Sequence, residues 1–153
     1  MNANHHLLFL CTGNYYRSRF AEILFNTRAV EAGIPWRASS RGLATEVIGP
    51  GDGPISPLVL RVLNQRGIQV GDQVRFPIQL SERDLLAANR VIAIDEDEHR
   101  PMLARRYPGW EERVEYWHIP DVHRASAGEA LEAIEGKVTE LIKESGLKQL
   151  SRK

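Results

Sequence analysis

A doubly wound α/β domain, three layers deep around a central parallel sheet of about four strands, is the fold this sequence predicts. Three observations predict it. Apolar strand-forming runs alternate with amphipathic helical runs along the whole chain. The two clearest strands, Leu7–Cys11 and Arg90–Ile94, are apolar on both faces, as buried parallel strands are. The 153 residues, 42% hydrophobic and 26% charged, suit one soluble domain over residues 1–153 with a sizeable core.

The first strand runs from His6 or Leu7 to Cys11. Arg17 to about Ala32 reads as a helix with Phe20, Ile23, Leu24 and Thr27 inward, stopped by Gly33-Ile34-Pro35. Trp36 to Ser40 is a short second strand. The Gly- and Pro-rich stretch Gly42–Pro57 is a surface loop, either functional or a plain connection. Ser56 is placed to cap a helix with Pro57 at its first position, running to about Arg66, and Gly67–Val70 leads away from it. Ser81 heads a short helix to Ala88, and Arg90–Ile94 is the third strand.

Asp95-Glu96-Asp97-Glu98 is open to two readings: Mg²⁺ ligands at a strand end, or acids gathered at a helix N-terminus. Glu96–Glu98 are read as helix acids, with Asp95 left open. Pro101 makes this helix start late or kink. Arg105-Arg106 and Glu111-Glu112 balance as a solvated face. Arg113–Trp117 is the last strand, and Ser126 to about Lys148 the last helix, with Leu131, Ile134, Val138, Leu141 and Ile142 inward. Gln149–Lys153 reads as a frayed tail.

Twenty basic residues match twenty acidic ones, which argues against a nucleic-acid or polybasic membrane surface. A single cysteine allows no intramolecular disulfide, and no apolar run approaches the ~20 residues of a membrane span. The expected protein is cytoplasmic, a monomer or weak dimer. No cofactor or metal is expected: Cys11–Arg17 holds no Gly-x-Gly-x-x-Gly, and His5, His6, His99, His118 and His123 form no ligand motif.

The chemistry concentrates in Cys11-Thr12-Gly13-Asn14-Tyr15-Tyr16-Arg17-Ser18. Strand, tight loop and helix N-terminus together make an anion cradle, because unpaired N–H groups and the helix dipole both favour negative charge there. A cysteine at its base is favoured as thiolate. Arg17 adds a planar fork matched to two phosphate oxygens, and the Ser18 hydroxyl can donate to the sulfur. Gly13 and Asn14 are expected to supply left-handed backbone. Residues 12–18 would thus bind phosphate with Cys11 beneath it as nucleophile. The leaving oxygen then needs an acid, for which Asp121 is the candidate; a turn or cap aspartate is its other reading.

The string from Leu8 through Ser18, followed by Phe20-Ala21-Glu22, resembles the opening of the low-molecular-weight protein tyrosine phosphatases. Trp117-His118-Ile119-Pro120-Asp121 is similar to the segment that carries their general acid, with Val122 in place of a proline. Ala38-Ser39-Ser40-Arg41-Gly42 resembles their Ser-Ala-Gly segment, and Ile92–Asp95 their Ala-Met-Asp strand end. The resemblance implies a phosphatase I-like fold and metal-independent hydrolysis of phosphotyrosine or aryl phosphates through a phosphocysteine at Cys11. It implies that Arg17 and the loop amides hold the equatorial oxygens and that Asp121 is acid and then base. Ser40 would support the loop through Asn14. A phosphorylated protein or small aryl phosphate is the partner this implies.

Three departures stand out. Tyr16 occupies the place of a second loop cysteine, so that redox switch is unavailable. The aromatic walls of relatives fall at Glu46 and at His123 and Arg124. Tyr15 stands where an aliphatic residue is common, and either supplies a replacement wall or marks a different substrate. A non-catalytic phospho-ligand binder is the alternative function. An arsenate reductase is disfavoured, since its disulfide cascade needs further cysteines.

Overall fold

The computed structural model describes residues 5–71, 74–121 and 126–151. Four parallel strands, β1 (His5–Cys11), β2 (Trp36–Gly42), β3 (Arg90–Ala93) and β4 (Glu115–Tyr116), lie in the order β2-β1-β3-β4. The chain leaves β1 for one side and returns to β3 on the other. The crevice of such a sheet therefore opens beyond the carboxyl ends of its central strands, where β1 ends at Cys11.

Side-chain alternation along β1 builds the two outer layers. Leu7, Phe9 and Cys11 face a core shared with α1 (Arg17–Ala32), α2 (Pro57–Gln65) and α5 (Ala127–Ser151). Leu8 and Leu10 face the opposite core with α3 (Glu82–Ala87) and α4 (Glu96–Arg106), where Leu85, Leu103 and Trp110 are buried. Each Leu or Phe fully buried here contributes about 1.5–3 kcal/mol. Gly33 ends α1 in the left-handed region, at φ 67°, and its N–H and that of Ile34 close the last turn. Ser81 and Asp84 form a reciprocal capping box at α3.

Several expectations are corrected. Ser56 precedes α2 but makes no side-chain cap bond; its N–H instead donates to Tyr15 O. Helix α4 begins at Glu96 and runs through Pro101, which sits exposed in the second turn. Arg106 does not balance Glu111-Glu112; it pairs with Glu46 at 2.6 Å and donates to Leu43 O. The loop 42–57 holds two 3₁₀ turns, Thr45–Val47 and Pro50–Asp52. Strand β4 is only two residues long. Of the tail expected to fray, residues 149–151 continue α5 to Ser151, and residues 152–153 lie outside the described part. Among the described residues no helix is long and apolar enough to cross a membrane.

Candidate active site

Cys11 is the last residue of β1 and Arg17 the first of α1, so the loop between them is anchored by regular structure at both ends. Its carbonyls turn outward: Leu43, Ala44 and Ser56 N–H donate to the oxygens of Cys11, Thr12 and Tyr15. No group among the described residues accepts from the N–H groups of residues 13–17, so they are available to an anion.

Asn14 locks this shape. It is wholly buried and has φ 54°, the one non-glycine in the left-handed region among the described residues. Its Nδ2 donates to Ser18 Oγ and Ser40 Oγ, each at 2.9 Å. Its Oδ1 accepts from Ile78 N at 3.1 Å and from Arg75 at 3.0 Å. Ser40 donates onward to Glu22 at 2.6 Å. With Asn14 donating to Ser18, the Ser18 proton is available to Cys11 Sγ, 2.9 Å away. Ser40, Asn14 and Ser18 thus stand as one supporting chain behind the thiol.

Gly13 is present for a different reason from the one expected: its φ is not positive. A Cβ there would meet Ile48 Cδ1 at 2.8 Å, so glycine lets the cleft wall close onto the loop. Gly42 is tighter still, since a Cβ would lie 2.9 Å from Thr12 O and 2.6 Å from Thr45 Cγ2. Gly42→Ala must displace the cradle backbone, and it is expected to destabilise by about 1–3 kcal/mol. A thermal melt unchanged within one degree or so would refute this.

Above the loop opens a cleft of about 290 Å³ lined by Cys11, Gly13, Arg17 and Asp121. Its walls are Tyr15, Tyr16, Val47, Ile48, Leu58 and Ala127, so the lining is mainly apolar. Glu46 does not line it, being turned to Arg106, and the next two residues, Val47 and Ile48, take that wall. Tyr15 is a wall residue, its hydroxyl donating to Asp52 O at 2.6 Å. Tyr16 donates to Ala127 O at 2.7 Å and so tethers the loop to the start of α5; burial pushes its phenol up to about 12. Val122, His123 and Arg124 lie outside the described residues.

Two groups escaped the sequence reading. Arg19, 1% exposed, donates to the carbonyls of Asn14, Pro54 and Arg75 and staples the cradle to two neighbouring loops. Burial, then the charge of Arg75, lowers its pKa to about 10. The other group is Glu98, from the acid run. Its Oε2 lies 2.7 Å from the Arg17 guanidinium and accepts from the Thr12 hydroxyl, while Arg17 also donates to Ile119 O at 2.9 Å. The Thr12 side chain is therefore turned to Glu98, and what Thr12 offers a phosphate is backbone. The acid run is divided among partners, with Asp95 as N-cap of α4, Glu96 on Arg100 and Glu98 on Arg17. Among the described residues no three His, Cys, Asp or Glu side chains converge as metal ligands would.

Burial opposes charge at both ends of this pair and is overcome. The Glu98 hydrogen bond, with the charges of Cys11 and Glu98, holds Arg17 above its ordinary value. Bonds from His99 and Arg17 hold Glu98 far below the usual carboxylate range. A depressed carboxyl stabilises the fold at neutral pH, and the contribution is lost as pH falls. Glu98→Gln is therefore expected to melt below the wild type at pH 7, the gap narrowing below about pH 4.3. Melts recorded across that range check it, and a gap independent of pH would refute it.

Fold and loop together define an α/β protein with an anion cradle and a thiol at the carboxyl edge of its sheet. The family model for low molecular weight phosphotyrosine protein phosphatases matches residues 6–153, and the chain belongs to that family. A curated low-molecular-weight protein-tyrosine-phosphatase homologue of Synechocystis sp. is 33% identical over 101 residues, 65% of this chain. The match spans 60% of that relative's length. The crystal structure of a low-molecular-weight protein tyrosine phosphatase from T. tengcongensis superposes with a TM-score of 0.75 at 26% identity, covering 92% of this chain and 99% of that one. The YwlE arginine phosphatase from Geobacillus stearothermophilus shares the fold at TM-score 0.75 and 21% identity, covering 97% of each chain.

Proposed function

We propose that this chain is a protein tyrosine phosphatase that hydrolyses phosphotyrosine and other aryl phosphate monoesters through a phosphocysteine. Cys11 Sγ attacks phosphorus, the S–P bond forms and the ester P–O bond breaks. Arg17 and the loop N–H groups hold the equatorial oxygens, where charge accumulates. Asp121 gives its proton to the leaving phenolate oxygen. In the second step Asp121 takes a proton from water, whose oxygen attacks phosphorus and releases Cys11 as thiolate. No cofactor enters either step.

The observation that carries this reading is that Cys11, Arg17 and Asp121 line one apolar-walled cleft. A phosphate binder would need the cradle but not the acid. A flat aryl group suits walls of Tyr15, Tyr16, Val47 and Ile48. Cys11 is the sequence's only cysteine, which speaks against arsenate reduction. The same thiol chemistry fits a reducing, cytoplasmic setting and a chain acting as monomer or weak dimer on a phosphorylated protein or small aryl phosphate. Neither nucleic acid nor membrane is part of the reading.

The deciding assay is p-nitrophenyl phosphate hydrolysis in EDTA between pH 5 and 8, then release of phosphate from phosphotyrosyl, phosphoseryl and phosphoarginyl peptides. Turnover in EDTA with phosphotyrosyl preference is expected. No turnover would overturn the enzyme reading, and phosphoarginyl preference would overturn the substrate.

A further inference from the structure

We propose that Glu98 is the positioning residue for Arg17, fixing its guanidinium in the orientation that the transferring phosphoryl group requires; this rests on the phosphatase reading above. Arg17 has five N–H donors. One from Nη1 goes to Ile119 O at 2.9 Å and one from Nη2 to Glu98 Oε2 at 2.7 Å. One N–H remains on each terminal nitrogen, with the Nε–H, for an anion in the cradle. A planar group gripped at both terminal nitrogens does not turn when substrate arrives, so its orientation is set beforehand.

Glu98 is itself held. The Thr12 hydroxyl donates to the same Oε2 that Arg17 grips, so one oxygen ties the residue after the nucleophile to the arginine at the far end of the loop. His99 is fully buried beside it, with Nε2 3.3 Å from Glu98 Oε2 and 3.2 Å from Thr12 Oγ1. Its Nδ1 accepts the Asp95 N–H at 3.0 Å, which places the proton of the neutral ring on Nε2, facing Glu98. Burial lowers the imidazole's pKa and outweighs the Glu98 hydrogen bond, so the ring stays neutral, and the Asp95 bond fixes its tautomer. A relay of fixed groups therefore runs from the Asp95 backbone through His99 and Glu98 to Arg17.

A carboxylate beside a phosphate cradle repels the bound dianion. A site built only to bind phosphate tightly would exclude it. Its presence makes sense where orientation at the transition state matters more than ground-state affinity.

The experiment compares wild type, Glu98→Gln and Glu98→Asp for kcat and KM and, by calorimetry, for binding of vanadate and inorganic phosphate, with thermal melts to establish folding. Glu98→Gln is expected to lower kcat about 10–100-fold, as a misplaced group of this kind does. KM is expected to change little, vanadate binding to weaken in step with kcat, and phosphate to bind no more weakly than before. Glu98→Asp keeps the charge but draws it back by one methylene; it is expected to lie between the two, and carries the same comparison if Glu98→Gln does not fold. Unchanged kcat, or equal weakening of vanadate and phosphate, would overturn the positioning role. If the wild type itself shows no turnover the phosphatase reading fails, and the vanadate-to-phosphate ratio still decides the role of Glu98.

Discussion

Cys11→Ser is expected to reduce hydrolysis of aryl phosphates by on the order of 10⁴-fold or more, while phosphate still binds. The two outcomes separate because different atoms are responsible. The N–H groups of residues 13–17 and the Arg17 fork are untouched by the exchange of sulfur for oxygen, so the cradle keeps its ligand. A serine hydroxyl at that place has no anionic form to attack with, and Ser18 and the helix terminus cannot make one. Rapid quench on the timescale of a single turnover should trap a phosphorylated wild-type enzyme, and a phosphorylated variant should form only far more slowly. A mutant retaining a tenth of the activity would mean that Cys11 is not the nucleophile.

Asp121→Asn is expected to cost about 10²–10⁴ in rate, with the size depending on the substrate. p-Nitrophenolate leaves readily without a proton, so that substrate should lie at the low end. Phenyl phosphate and phosphotyrosyl peptides, whose phenolates are poor leaving groups, should lie at the high end. The signature is therefore a steeper dependence of rate on the leaving group in the variant. Equal losses across a series of substituted phenyl phosphates would remove Asp121 from the acid role. Its position in the lining of the cleft that holds Cys11, on the segment that follows β4 and precedes α5, is what makes the expectation specific.

The strands and helices were legible because their signals are local and reinforce one another: apolar β1, the left-handed cap Gly33, the Ser81 box. The cradle was legible for the same reason, since Cys11 to Ser18 is one contiguous string whose residue types already carry the chemistry. What was not legible came from afar. Glu98 reads as an ordinary acid in a helix's first turn, and only the pairing of β1 with β3 carries that turn over Thr12 and Arg17. Nothing in the sequence around Arg19 marks it for burial, because its partners lie on loops some 35 and 56 residues away. Counting from Ser40 put the wall at Glu46, but the 3₁₀ turn at Thr45–Val47 rotates that side chain to Arg106 and brings Val47 and Ile48 inward. Gly13 was matched to backbone conformation when its neighbour across space was the constraint.

The loop and the wall of the cleft are made of parts with different exposure. The Leu43 and Ala44 amides bond the carbonyls of Cys11 and Thr12, beside the central strand, and both residues are buried. Their protons can exchange with solvent only when the heart of the domain opens. Val47, by contrast, lies 60% exposed on a short 3₁₀ turn that is tied down at the surface, by Thr45 to Gln79 and by Glu46 to Arg106. The loop from Cys11 to Arg17 is thus hung on buried framework, while the wall beside it is built from exposed surface structure. If the proposed phosphatase activity holds, substitutions along that exposed wall would change which phosphorylated substrate is accepted and leave the loop that carries Cys11 and Arg17 as it is.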